Sequence, residues 1–190
     1  FDTALTHAAT MTYPLARSLI TGSLWEMVRT ANLAPSVFLD YLLRAIPIED
    51  HPTSLRTLLL TTKQIPSMLL ATLDWYTPMA DRSAARARAL DVVRTALDAA
   101  PAGSDRQLQL LMSYAGLVTE EADTARLAAA LDGDSAFPGL HIDQDLRWTL
   151  LFGLSAAGAA TDEQIARDLE RAPSVAAREK AVSCRAARPA

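Results

Sequence analysis

The chain has 190 residues, half of them apolar, and carries 18 basic against 22 acidic side chains for a net charge of -4. That is long enough for one large domain with a real core, and Ala (36) and Leu (29) against only 13 Val and Ile together argue for helix, because β-branched side chains lose rotamer freedom there. Acids and bases alternate along the chain, and no apolar run approaches the ~18 residues that span a bilayer, so neither a nucleic-acid partner nor a membrane anchor is expected.

Apolar spacings of three and four define nine helical segments. The first runs from about Pro14 to Ala31, with Asn32 expected in the left-handed conformation just past its end. Pro35 opens the second, with Phe38, Tyr41, Leu42 and Ala45 on one face and Ile46-Pro47 as its stop. Thr53 starts a third, whose inner face is Leu55, Leu58, Leu59 and Thr62 until Pro66, and Met68 to Tyr76 resumes as a separate piece. A long helix of about Ala80 to Ala100 buries Leu90, Val93, Leu97 and Ala100. Ser104 with Gln107 reads as a capping box before Leu108, and Glu120 to Leu131 stops at Gly133. After a connector, Asp143 caps a helix with Leu146, Trp148, Leu150, Leu151, Phe152 and Leu154, apolar nearly all round and expected to be the most buried. Thr161 with Gln164 is a second capping box for a helix through Ala172, and Pro173-Ser174 begins the last, toward Arg188. Short connections make neighbours antiparallel, so the expected fold class is all-α: helical hairpins stacked as a bundle or a degenerate HEAT-like α-solenoid, with no strict repeat of ~34 or ~40 residues.

Few residues carry chemistry. His7, His51 and His141 lie far apart in sequence, and no metal-ligating motif surrounds them, so no metal site is expected. Asp143 and Asp145 point roughly opposite ways on a helix and read as a cap and a dipole partner. Cys184, the single cysteine, has no neighbouring His to make a thiolate and reads as a buried thiol; with no disulfide available, a cytoplasmic location is expected. No phosphate loop or nucleophile elbow occurs, so no catalytic residue is expected in the chain. Asp143-Gln144-Asp145-Leu146-Arg147-Trp148 stands out: a helix start, a fixed cation and an indole within one turn. It could receive a carboxylate through Arg147, or Arg147 could pair with a neighbouring acid beside a core Trp148. Trp25 with Glu26 and Arg29, and Trp75 with Tyr76, leave the same two readings open, core being the usual one for aromatics at helical spacing.

The stretches Ser23-Leu24-Trp25-Glu26-Met27-Val28-Arg29, Tyr41-Leu42-Leu43-Arg44, Ala102-Gly103-Ser104-Asp105-Arg106-Gln107-Leu108 and Gly139 through Leu151 resemble the C-terminal helical domain of actinobacterial aminopeptidase N. So does the tail from Asp162 through Asp168-Leu169 to Arg188-Pro189, while Lys63 to Pro66 reads like an insertion. The resemblance implies a single all-helical domain over 1–190, the C-terminal fragment of a zinc-dependent exopeptidase that removes N-terminal residues from peptides. It implies a HEAT-like wall that closes a chamber over a catalytic domain of the same chain. The zinc and catalytic residues of that family lie in the catalytic domain, so none is expected here, and Arg147 is the residue expected to face peptide substrate in the chamber. Apart from the resemblance, the helical pattern also fits a free-standing helical-repeat scaffold for a partner protein, or a small-molecule sensor with a cavity near Trp148.

Overall fold

Prolines and short polar caps cut this Ala- and Leu-rich chain into helices. The computed structural model describes residues 2–60, 67–133 and 136–189. Among them there are α-helices, short 3-10 and π turns, and no strand, as the composition requires. The expectations for Thr62 and for Lys63 to Pro66 fall outside the described residues. The chain divides into two compact units, 1–100 and 101–190.

The first unit holds α1 (Asp2–His7), α2 (Pro14–Arg29), α3 (Pro35–Ala45), α4 (Pro52–Leu59), α5 (Met68–Ala71) and α6 (Arg82–Asp98). Pro14, Pro35 and Pro52 each stand at a helix start that no side chain caps; the ring sets φ, and the missing N–H has no partner to lose. Helix α1 was not expected, because six residues without a repeat give no periodicity to read. The core is built on α3, whose Phe38, Tyr41, Leu42 and Ala45 are buried as predicted and whose Leu39 is buried with them, and Trp25 packs on Phe38 with ring centroids 5.7 Å apart.

Two expectations are corrected here. The left-handed residue after α2 is Ala31 (φ 58) rather than Asn32. The Asn32 N–H returns to the Met27 carbonyl at 2.8 Å and the Ala31 N–H to Val28 at 3.1 Å, a Schellman closure that puts the reversal one residue earlier. Trp75 is 66% exposed. Residues Thr72–Tyr76 form a π turn closed from the Thr77 N–H to the Thr72 carbonyl, and its wider pitch brings Tyr76, not Trp75, edge-on to Trp25 at 5.3 Å.

The second unit holds α7 (Asp105–Ala115), α8 (Glu121–Leu131), α9 (Gln144–Ala156), α10 (Asp162–Arg171) and α11 (Val175–Ala186). Helix α9 touches the other four and buries Leu146, Trp148, Leu150, Leu151 and Leu154 as expected, although Phe152 is 45% exposed. Gly153 explains how close α9 comes: a Cβ there would lie 2.1 Å from the Ala115 carbonyl oxygen at the end of α7, so no side chain fits. The Thr161–Gln164 capping box is complete. The Ser104 box is only half made: Ser104 Oγ accepts from the Gln107 N–H, but Gln107 Oε1 accepts from the Gly103 N–H at 2.7 Å instead of from Ser104. Gly103 has φ +72, which turns its own N–H toward the glutamine.

Candidate functional site

The candidate site is the start of α9. Asp143 Oδ1 accepts from the Leu146 N–H at 2.8 Å, and Asp145 pairs across the surface with Lys180 Nζ at 2.6 Å, so each carboxylate takes the structural role its spacing suggested. The capped turn fixes where Arg147 and Trp148 point. Both are buried.

Arg147 meets an acid from 21 residues further on. Its Nε and Nη2 donate to the two oxygens of Asp168, the second at 3.0 Å, and its Nη1 donates to the Leu131 carbonyl at 2.7 Å. Gln144 Nε2 donates to the Asp168 carbonyl at 3.3 Å. Of the two readings of Arg147, the structure therefore contains the ion pair with a neighbouring acid beside a core Trp148. A bidentate fork on a carboxylate is the strong form of this contact. Three of the guanidinium's ~five donors are used in this way. Asp168 was not picked out as the partner, yet its signal was there: it shares the buried face of α10 with Ile165, and an acid on such a face needs a cation.

Arg147 also forms part of the wall of a cleft of about 400 Å³ with Phe137, Gly139, Leu140 and Arg171. The cleft wall at Gly139 (φ +78) is set by backbone contact. A Cβ on Gly139 would stand 2.7 Å from the Gly103 nitrogen, and one on Gly103 would stand 2.8 Å from the Gly139 oxygen, so the connector and the turn before α7 interlock only as glycines. Arg171, which the sequence reading missed, is exposed in the last turn of α10, and its guanidinium is paired with none of the described residues. With Arg147, Asp168 and Arg171 together the cleft has an excess of one positive charge.

On the other side of α9 a second cleft, of about 220 Å³, is lined by Trp148, Phe152, Lys180 and Cys184. Cys184 is buried, and burial pushes its thiol above the ordinary value. That makes it a poor nucleophile.

Zinc does not fit this chain's described residues: no three His, Cys, Asp or Glu side chains among them come together to hold a metal. Among the described residues no helix is long and apolar enough to cross a membrane.

A family model described as the ERAP1-like C-terminal domain matches residues 1–190, and the chain belongs to that family. It is 32% identical over 183 residues, 96% of its length, to a protein named Aminopeptidase N from Streptomyces lividans. The match takes in 20% of that relative, so the chain spans about a fifth of the length of the curated relative it matches.

Proposed function

We propose that this chain is the C-terminal, substrate-access domain of a zinc aminopeptidase that removes N-terminal amino acids from peptides. The observation that carries the reading is the 32% identity to Aminopeptidase N across 96% of the chain. In this reading the helices stack as one HEAT-like domain that walls a chamber over the catalytic domain of the same polypeptide, in the cytoplasm, and zinc is held by that catalytic domain. A walled site admits short peptides and excludes folded chains, and it exchanges bulk water for fixed dipoles.

Arg147 faces the peptide in this proposal, and the geometry narrows how. Its fork is clamped by Asp168, so it offers a fixed charge and its remaining N–H donors. Arg171, on the same cleft and exposed, is the cation able to move onto a peptide's C-terminal carboxylate.

The test uses the full natural polypeptide that contains this sequence. It should release N-terminal residues from peptides, lose that activity to a chelator and regain it with zinc. Arg171→Ala should lower kcat/KM for peptides about tenfold, the order of one charge-assisted contact, and leave amino-acid anilides unchanged, since these have no distant carboxylate. Arg147→Leu with Asp168→Leu removes both charges without orphaning either and should show the same selectivity. No peptidase activity would refute the function, and equal effects on peptides and anilides would refute the role of the cleft.

A further inference from the structure

Among the described residues, two helices contain a glycine inside the helix, where glycine costs stability relative to alanine. At Gly153 the reason is internal, since the Ala115 carbonyl occupies the place of a side chain. At Gly22 in α2 it is not: a Cβ there would meet nothing within 4 Å. Leu15 and Leu19 stand seven and three residues before it, on the same stripe of α2, and they are 72% and 64% exposed. Tyr13, at the head of α2, is 76% exposed. An unfilled glycine beside two outward leucines is the surface a second helix needs to approach closely.

The stripe is also held still. Arg17, two residues from both Leu15 and Leu19 and so on the opposite side of α2, donates to the Met11 carbonyl at 2.7 Å and to the buried Glu49. That ties down a helix start that no side chain caps. A rigid apolar stripe loses little further entropy on being covered.

We propose that the Leu15, Leu19 and Gly22 stripe is the seat of an apolar helix from the part of the aminopeptidase polypeptide outside these 190 residues. This rests on the function proposed above. The occupant follows from length: the chain matches a fifth of its relative, so a polypeptide of that size has four fifths of its mass available to cover the stripe. The glycine sets the kind of contact, because helices cross most closely where one lacks a side chain.

The experiment is done on the full natural polypeptide. A photo-reactive benzoylphenylalanine at Leu19, and separately at Leu15, should cross-link on irradiation to a peptide of the same molecule outside residues 1–190, as mapped by mass spectrometry. Gly22→Leu should lower the melting temperature, the reverse of what helix propensity alone gives, while Gly22→Ala falls between. Cross-links that stay within residues 1–190, that join two copies, or that do not form overturn the proposal, and so does a Gly22→Leu protein as stable as the parent. Peptidase activity of the unsubstituted protein is measured in parallel. An active protein without the expected cross-link sinks the docking surface alone, whereas an inactive one sinks the function and the surface together.

Discussion

Arg17 in the first unit and Arg147 in the second are buried in one geometry. In each, Nε and Nη2 grip the two oxygens of a buried carboxylate, Glu49 or Asp168, and Nη1 donates to a backbone carbonyl, Met11 or Leu131, at 2.7 Å. The difference is one acid. Arg17 Nη2 also reaches Asp50 at 2.6 Å, and that side chain is 84% exposed. Glu49 in turn accepts from the His51 N–H at 3.0 Å, and its hydrogen bond is the main cause that raises the Arg17 pKa against the opposing effect of burial. The first cluster thus has a spare carboxylate open to water, whereas the second is closed and has none. A buried pair repays its desolvation only while both members are present, so the spare acid decides what a deletion costs.

The largest predicted effect follows. Asp168→Ala leaves Arg147 buried with only the Leu131 carbonyl, and the loss is about 3–5 kcal/mol, which for a chain of this size lowers the melting temperature by roughly 6–20 °C. Glu49→Ala leaves Arg17 with Asp50 and the Met11 carbonyl, and should cost about 1–3 kcal/mol. Thermal or denaturant unfolding of the two variants decides it. Equal losses would mean that Asp50 gives no compensation, and the comparison would break.

The same contrast explains what could be read from the sequence. In the second unit four of the five described helix starts carry a side-chain cap: Ser104, Asp143, Thr161 and Ser174 each accept a backbone N–H from the first turn, while α8 starts at Glu120 without one; the first three caps were legible because a cap is a local bond between residues three apart. In the first unit α2, α3 and α4 start at prolines; Pro14 and Pro35 were equally legible, while α4 begins at Pro52, one residue before the expected Thr53. The failures are not local. The Trp75 error comes from a π turn, which shifts the register without leaving a motif. Arg147 could be singled out, but its partner Asp168 lies one helix away, and only the packing of α10 on α9 brings them together. Arg171 gave no signal at all, since a lone Arg in a last helical turn is ordinary dipole pairing. The exposure of Leu15 and Leu19 on α2 was not legible, because a helical period cannot distinguish a face covered by this chain from one left open.

A mid-sized effect sharpens the comparison within the second unit. Cys184 is buried, with burial the first cause of its raised pKa, and it reports the opening of α11 from α9. In the native protein at neutral pH it should react with a thiol reagent at least tenfold more slowly than in denaturant. In Asp168→Ala, whose α10 anchor on α9 is lost, the rate should rise severalfold. An unchanged rate would show that α11 keeps its place without that ion pair.

The smallest effect concerns Asp162, at the start of α10. Its carboxylate faces Arg188 at 3.0 Å and Arg185 at 3.3 Å, and the hydrogen bond from Arg188, followed by the charges of both arginines, holds its pKa below the ordinary carboxylate value despite some desolvation. A folded value below the unfolded one means that Asp162 adds stability above the ordinary carboxylate pKa, and that this is lost as pH falls through the lower, folded value. The group is exposed, so screening keeps the effect small. Asp162→Asn should therefore melt slightly below the parent at pH 7, and the two curves should converge in strong acid, where the parent's carboxylate is protonated. Glu163, also lowered, chiefly by its own backbone N–H, keeps some acid dependence in the variant. Melting curves that stay parallel from pH 7 to strong acid would show that the Asp162 pair contributes nothing to holding α11 against α10. The closed Arg147 cluster would then stand as the second unit's principal ionic anchor.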